Sequence, residues 1–158
     1  MIMITLVAIV CLITLDQLSK IWAVGALSQG NDILLWKNVF HLAYIENKGA
    51  AFGMLQGKQW FLIGMTIIVL IGMFFYLTKL PRTKVGNWSR FSFILIISGA
   101  IGNLIDRVLL NYVRDFLYFR LIDFPVFNLA DIFVVVGVMI LLVVIIFGEI
   151  EKPHQTKE

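Results

Sequence analysis

Four aspartates carry the chemical interest of this sequence: Asp16, Asp106, Asp115 and Asp131. Asp16, Asp106 and Asp131 fall inside long apolar runs, where a charged side chain costs roughly 2.5–3.5 kcal/mol to insert into a membrane. Groups kept at such a cost read first as functional. Polar companions recur at helical spacing. Asp16 and Lys20 stand at i, i+4 in the favourable acid-first order. Gly99, Asn103 and Asp106 follow i, i+4, i+7 and share a face, with Arg107 adjacent, and Asn128 and Asp131 share a face at i, i+3. Two neighbouring carboxylates can divide the work of peptide hydrolysis. The ionised one takes a proton from water, and the protonated one polarises the scissile carbonyl and later donates to the amine. Like charges at close range cannot both ionise, so one pKa rises and the two states coexist at working pH.

Other chemistries find little support. There is no Ser-Lys or Ser-His-Asp constellation and no H-E-x-x-H motif. His41 and His154 stand apart with no ligand partner, and Cys11 is alone in an apolar run, so no metal site, cofactor or disulfide is expected. Structural accounts compete for several of the polar groups. Asp16 with Lys20 is readable as an ion pair. Asp106 beside Arg107 is readable as another, with Arg107 snorkelling outward. Asn103 and Asn128 could be interhelical hydrogen-bond glue, and Asp123 a solvated loop residue. Asp115 and Asp131 differ, because neither has a basic mate on its own face. Arg114 precedes Asp115, but adjacent side chains of an extended chain point apart.

Four elements must position these groups. A spanning helix needs about 20 apolar residues, and four stretches qualify, at about 3–26, 60–80, 91–110 and 127–147. The first has no basic leader and no small-residue cleavage site, and reads as a retained helix. The chain is 60% hydrophobic and 15% charged, with mean hydropathy +0.93. That leaves too little polar sequence to coat a soluble domain. The net charge of +3 comes with no basic run, so no nucleic-acid partner is expected. With no repeat or linker, one membrane-embedded domain over residues 1–158 is the simplest organisation.

Loop charge sets the orientation. The second loop holds Lys79, Arg82, Lys84 and Arg90 and no acid. The tail adds Lys152 and Lys157, diluted by Glu149, Glu151 and Glu158. By the positive-inside rule this loop and both termini are cytoplasmic. Asp16, Asp106, Asp115 and Asp131 then all approach the outer leaflet. The first loop, about 28–59, carries Ile33, Leu35, Val39, Phe40, Leu42, Tyr44 and Ile45, punctuated by Gly49, Gly53 and Gly57. It is expected to form a small extracytoplasmic β-rich element. The third loop, about 111–126, mixes Arg114, Asp115, Arg120 and Asp123 with Tyr112, Phe116, Tyr118 and Phe119. It is expected to be a short amphipathic segment at headgroup depth. The expected fold class is thus an all-α membrane protein with these two loop elements. Residues alone leave three functions open: a membrane peptidase, a proton- or ion-coupled transporter, and a membrane scaffold with carboxylates as glue.

Five segments separate these. D-Q-L-S-K at 16–20, N-K-G-A-A-F-G at 47–53, G-A-I-G-N-L-I-D-R at 99–107, V-R-D-F at 113–116 and F-N-L-A-D at 127–131 stand in order along the chain. In these segments the chain resembles the bacterial lipoprotein signal peptidases, the signal peptidase II family. The resemblance implies an aspartic endopeptidase of the bacterial cytoplasmic (inner) membrane. Such an enzyme cleaves diacylglyceryl-modified prolipoproteins just before the lipidated cysteine. Its site lies near the extracytoplasmic face, among membrane lipid, and is open to globomycin-type inhibitors; a monomer is expected. By motif the resemblance implies that Asp115 and Asp131 form the catalytic dyad. Asp16, Lys20, Asn47, Gly49, Asn103, Asp106, Arg107 and Asn128 then support the site or bind substrate. It further implies a β-cradle in the first loop and a periplasmic helix in the third. Glu46 and Arg114 depart from the family pattern, which more often has a basic and an apolar residue there.

Overall fold

A computed structural model describes residues 2–50 and 54–148. Ala51, Phe52 and Gly53 of the first-loop motif, and Glu149, Glu151, Lys152, His154, Lys157 and Glu158 of the tail, lie outside them. The elements run α1 (Ile2–Leu27), β1 (Ile33–Trp36), β2 (Phe40–Asn47), α2 (Gln59–Lys79), α3 (Lys84–Leu110), β3 (Val113–Phe119) and α4 (Leu129–Phe147). A single 3₁₀ turn, Arg120–Ile122, follows β3.

All four helices are long and apolar enough to cross a membrane. The shortest, α4, has 19 residues, about 28 Å at 1.5 Å per residue, close to the hydrocarbon thickness of about 30 Å. The distribution of side chains is inverted relative to a water-soluble protein. Asp16, Lys20, Asp106 and Asn128 have no exposed surface, while Ile4, Val10, Ile68, Ile71, Val135 and Ile145 are exposed. Polar groups inside and aliphatic groups outside is the arrangement that lipid selects.

Helix α3 is the central element, packing against α1, α2 and most extensively α4. Small residues permit the close approach. A Cβ at Gly99 would collide with the Ala130 carbonyl of α4, and one at Gly102 would lie 2.5 Å from Asp16 Oδ2 of α1. The Ser92 hydroxyl donates to the Gly137 carbonyl of α4 at 2.5 Å. The apolar core between α1, α2 and α3 contains Ile9, Leu70, Phe93 and Ile97.

Two expectations need correction. Helix α3 begins at Lys84, seven residues before the expected 91. Hydropathy marks where a helix enters the apolar layer, not where it starts. The start is marked by Thr83, whose hydroxyl oxygen accepts the Gly86 N–H at 3.1 Å. The third loop is not a helix. It is mostly strand β3, which adds to the first-loop hairpin in a three-stranded antiparallel sheet of order β1-β2-β3, and only Arg120–Ile122 is helical. V-R-D-F-L-Y-F is rich in β-branched and aromatic residues, which suit a half-buried pleated surface. Without β3, strand β2 would present an unpaired edge. The β-rich reading of the first loop stands. Ala23 and Leu27 of α1 pack beneath Leu42 and Phe116, which moors the sheet to the helices.

Candidate active site

The sheet joins the helices where their polar residues collect. Helix α3 ends at Asn111, whose φ of 64° is left-handed and whose N–H donates to the Arg107 carbonyl. Asparagine tolerates that conformation better than most residues. The reversal feeds directly into β3, and the Asp115 side chain turns inward, 2% exposed. At the other end of the site, Asn128 caps α4. Its side-chain oxygen accepts the Asp131 N–H at 3.0 Å, and Asp131 Oδ2 accepts the Asn128 N–H at 3.1 Å. This capping box holds Asp131 in the first turn of α4.

Three asparagines tie the two carboxyl groups together. Asn47 Nδ2 donates to Asp115 Oδ2 at 2.9 Å and Asn128 Nδ2 to Asp115 Oδ1 at 2.6 Å. Asn103 Nδ2 donates to Asp131 Oδ1 at 2.8 Å. Each amide is held in one orientation by its oxygen. Asn47 Oδ1 accepts from Gly49 N, and Asn128 Oδ1 from Asp131 N. Asn103 Oδ1 accepts from Lys20 Nζ and from Asn128 Nδ2. All four oxygens of Asp115 and Asp131 therefore face an N–H donor. Burial, followed by the charge of Asp131, lifts the Asp115 carboxyl from the usual carboxylate range to about 7, against the opposing hydrogen bonds from Asn47 and Asn128.

A second polar layer lies behind the first. Lys20 Nζ sits 2.9 Å from Asp16 Oδ2 and 3.5 Å from Asp106 Oδ2. Asp16 Oδ1 accepts the Ala130 N–H at the start of α4. The Asp16–Lys20 pair thus forms as expected, and it also contacts two other helices. The expected Asp106–Arg107 pair does not form. Adjacent residues on a helix diverge by about 100°, so Asp106 faces α1 and β3 while Arg107 faces the loop after β2. The partner of Asp106 is Arg114, which donates through Nη2 at 2.7 Å, Nε at 3.1 Å and its backbone N–H at 3.0 Å. That pairing raises the guanidinium's proton affinity above its ordinary value. Arg107 is half-buried rather than snorkelling. Its Nη2 donates to the Gly49 carbonyl at 3.3 Å, and its buried Nε has no acceptor among the described residues.

The structure therefore brings together every expected site residue: Asp16, Lys20, Asn47, Gly49, Asn103, Asp106, Arg107, Asp115, Asn128 and Asp131. Asp123 instead accepts the Tyr118 hydroxyl at 2.5 Å, at the surface. Gln17 was missed. Its Nε2 donates to Asp16 Oδ2, Asp106 Oδ1 and the Gly102 carbonyl, and its Oε1 accepts from Arg114 Nη2. An amide at membrane depth beside Asp16 was the available signal. Arg114 stood out only as a departure from a pattern, and its role depends on a contact between strand and helix. Among the described residues no cluster of acids, histidines and cysteines could hold a metal.

Comparisons with known proteins identify the family. The family model described as "Signal peptidase (SPase) II" matches residues 8–147. The lipoprotein signal peptidase of Clostridioides difficile (strain 630) is 50% identical over 147 residues, covering 93% of this chain and 97% of that protein. Its counterpart from Clostridium tetani (strain Massachusetts / E88) is 45% identical over 145 residues, covering 89% and 91%. A bacterial membrane enzyme solved by the in meso method at 2.3 Å superposes with a TM-score of 0.82 at 27% identity, covering 100% of this chain and 96% of that one. With four apolar helices, a buried carboxylate cluster and a family match over most of its length, this chain belongs to the signal peptidase II family of multi-pass membrane peptidases.

Proposed function

We propose that this protein is an aspartic endopeptidase. It removes the signal peptide from diacylglyceryl-modified prolipoproteins by hydrolysing the bond before the lipidated cysteine, with Asp115 and Asp131 as the dyad. The observation that carries this reading is the pair of carboxyl groups, Asp115 buried and Asp131 partly buried, joined through Asn103 and Asn128. Charge balance supports it. Asp16 and Asp106 offset Lys20 and Arg114. Arg107 then balances Asp115 and Asp131 if the dyad holds one proton. Asp115, with its carboxyl near 7, is assigned that proton. Asp131, at the N-terminal turn of α4 where the helix dipole favours negative charge, is assigned the role of base.

In the first step Asp131 takes a proton from water, the water oxygen adds to the scissile carbonyl carbon, and Asp115 gives its proton to the carbonyl oxygen. In the second, the C–N bond breaks as Asp131 returns its proton to the departing amine and Asp115 takes a proton back from a hydroxyl of the gem-diol, which restores the starting dyad. The products are a signal peptide ending in a carboxylate and a lipidated cysteine with a free amine. The unmatched Arg107 Nε–H is suited to a backbone carbonyl of the substrate. The acyl chains keep the cysteine at bilayer depth, so the bond is presented near the membrane surface. With both termini cytoplasmic, that surface is the extracytoplasmic one.

The test is cleavage of a purified diacylglyceryl-modified precursor by wild type, Asp115→Asn and Asp131→Asn, with and without globomycin. Both variants are expected to insert normally and to lose cleavage. Retained cleavage by either would remove the dyad assignment.

A further inference from the structure

The end of the helix bundle opposite the carboxylates has a charge pattern that the peptidase reading does not use. Lys79, Arg82, Lys84 and Arg90 gather where α2 ends and α3 begins, and no described acidic residue pairs with Arg82 or Arg90. Between α1, α2 and α3 this end carries a cleft of about 560 Å³. Met3, Leu6, Phe74 and Leu77 form its apolar wall, and Arg82 and Arg90 stand at its polar rim. Arg90 is 9% exposed and is held by neutral acceptors only, the Leu80 carbonyl at 3.1 Å and Asn87 Oδ1 at 3.1 Å. Its charge is thus fixed in place and has no acidic partner among the described residues. Trp88, in the second turn of α3, is half-exposed, as suits a helix end at a membrane interface.

A cleft with apolar walls and a doubly cationic rim matches one amphipathic ligand: an acyl chain below a phosphodiester. We propose that this cleft binds an anionic phospholipid, with the phosphate on Arg82 and Arg90 and one acyl chain between α1 and α2. Basic pockets between helices at this depth hold lipid headgroups by the same physics. The site would clamp α1 to the α2–α3 turn and so set the depth at which the far ends of α1 and α3 carry the carboxylate cluster. The leaflet, cytoplasmic, rests on the orientation proposed above, whereas binding itself does not.

The test is native mass spectrometry of the full chain in detergent. It is titrated with phosphatidylglycerol and with phosphatidylcholine of identical acyl chains. The expected result is one retained phosphatidylglycerol in preference to phosphatidylcholine. Arg82→Gln should weaken that preference roughly fivefold, the contribution of one basic side chain at a lipid surface. Leu77→Trp, which fills the cleft without changing charge, should remove retention of both lipids. Equal retention of the two lipids by wild type, or an unchanged preference in both variants, would overturn the proposal. So would a preference that arises only after truncation at Gly148, because the acidic tail would then be the occupant.

Discussion

Replacing Asn47 by alanine should move the alkaline limit of cleavage upward. Asn47 Nδ2 lies 2.9 Å from Asp115 Oδ2, and its amide cannot turn away without losing the Gly49 N–H. The bond favours the ionised carboxylate and opposes the burial and the Asp131 charge that lift this carboxyl to about 7. Removing the donor leaves both raising effects in place, so the proton stays bound to a higher pH. A hydrogen bond to a charged group contributes about 1.5–3 kcal/mol, and 1.36 kcal/mol corresponds to one pKa unit. Water entering the vacated space restores part of that, leaving a net rise of about one unit. If Asp115 must be protonated to act as the acid, the falling limb of kcat/KM moves from near 7 to about 8. The assay is kcat/KM for a fluorogenic diacylglyceryl peptide across that range, since this ratio reports the free enzyme. A limb that stays in place or moves down, in a variant that still cleaves, would refute the assignment of the proton to Asp115.

Other consequences follow from the same contacts. Because the folded carboxyl of Asp115 sits above its unfolded value, this group costs stability progressively as pH rises from about 4 to about 7. Asp115→Asn should lack that decline, read as Tm in detergent against pH, even though it is inactive. Arg114→Met removes the guanidinium and its two hydrogen bonds from fully buried Asp106, leaving only the backbone N–H of residue 114. It should cost about 3–5 kcal/mol, seen as a large drop in Tm that Asp106→Asn in the same chain partly restores. Gly102→Ala places a methyl 2.5 Å from Asp16 Oδ2 and should cost about 1–3 kcal/mol. Its Tm should fall while an alanine at Gly64, which has open space around it, leaves Tm nearly unchanged.

Much of the fold was legible because lipid imposes a simple rule. Helices must satisfy their own backbone and cover themselves in apolar side chains, so α1, α2 and α4 fall within two residues of their hydropathic stretches. The β-rich first loop was legible from its aromatic and β-branched residues. The start of α3 was not, because a cap at Thr83 extends the helix beyond the apolar stretch. Nor was β3, since strand formation there depends on the edge that β2 offers from about 70 residues earlier in the sequence.

For the site, the sequence by itself determined most of the inventory: the carboxylates, and the amides and cations other than Gln17 and Arg114, that stand at one end of the bundle, and the family to which their segments belong. The tertiary structure decided the pairing. Along the chain, Asp106 reads as the partner of Arg107, and Asp115 as lacking a basic mate although Arg114 precedes it. In space, Asp106 takes Arg114, Arg107 is left facing Gly49, and Asp115 meets Asn47 and Asn128. The reason is geometric. Neighbours on a helix or strand point to different faces, so a residue's electrostatic partner is chosen by the element packed against it. Here those elements are α1, α4 and the loop-built sheet.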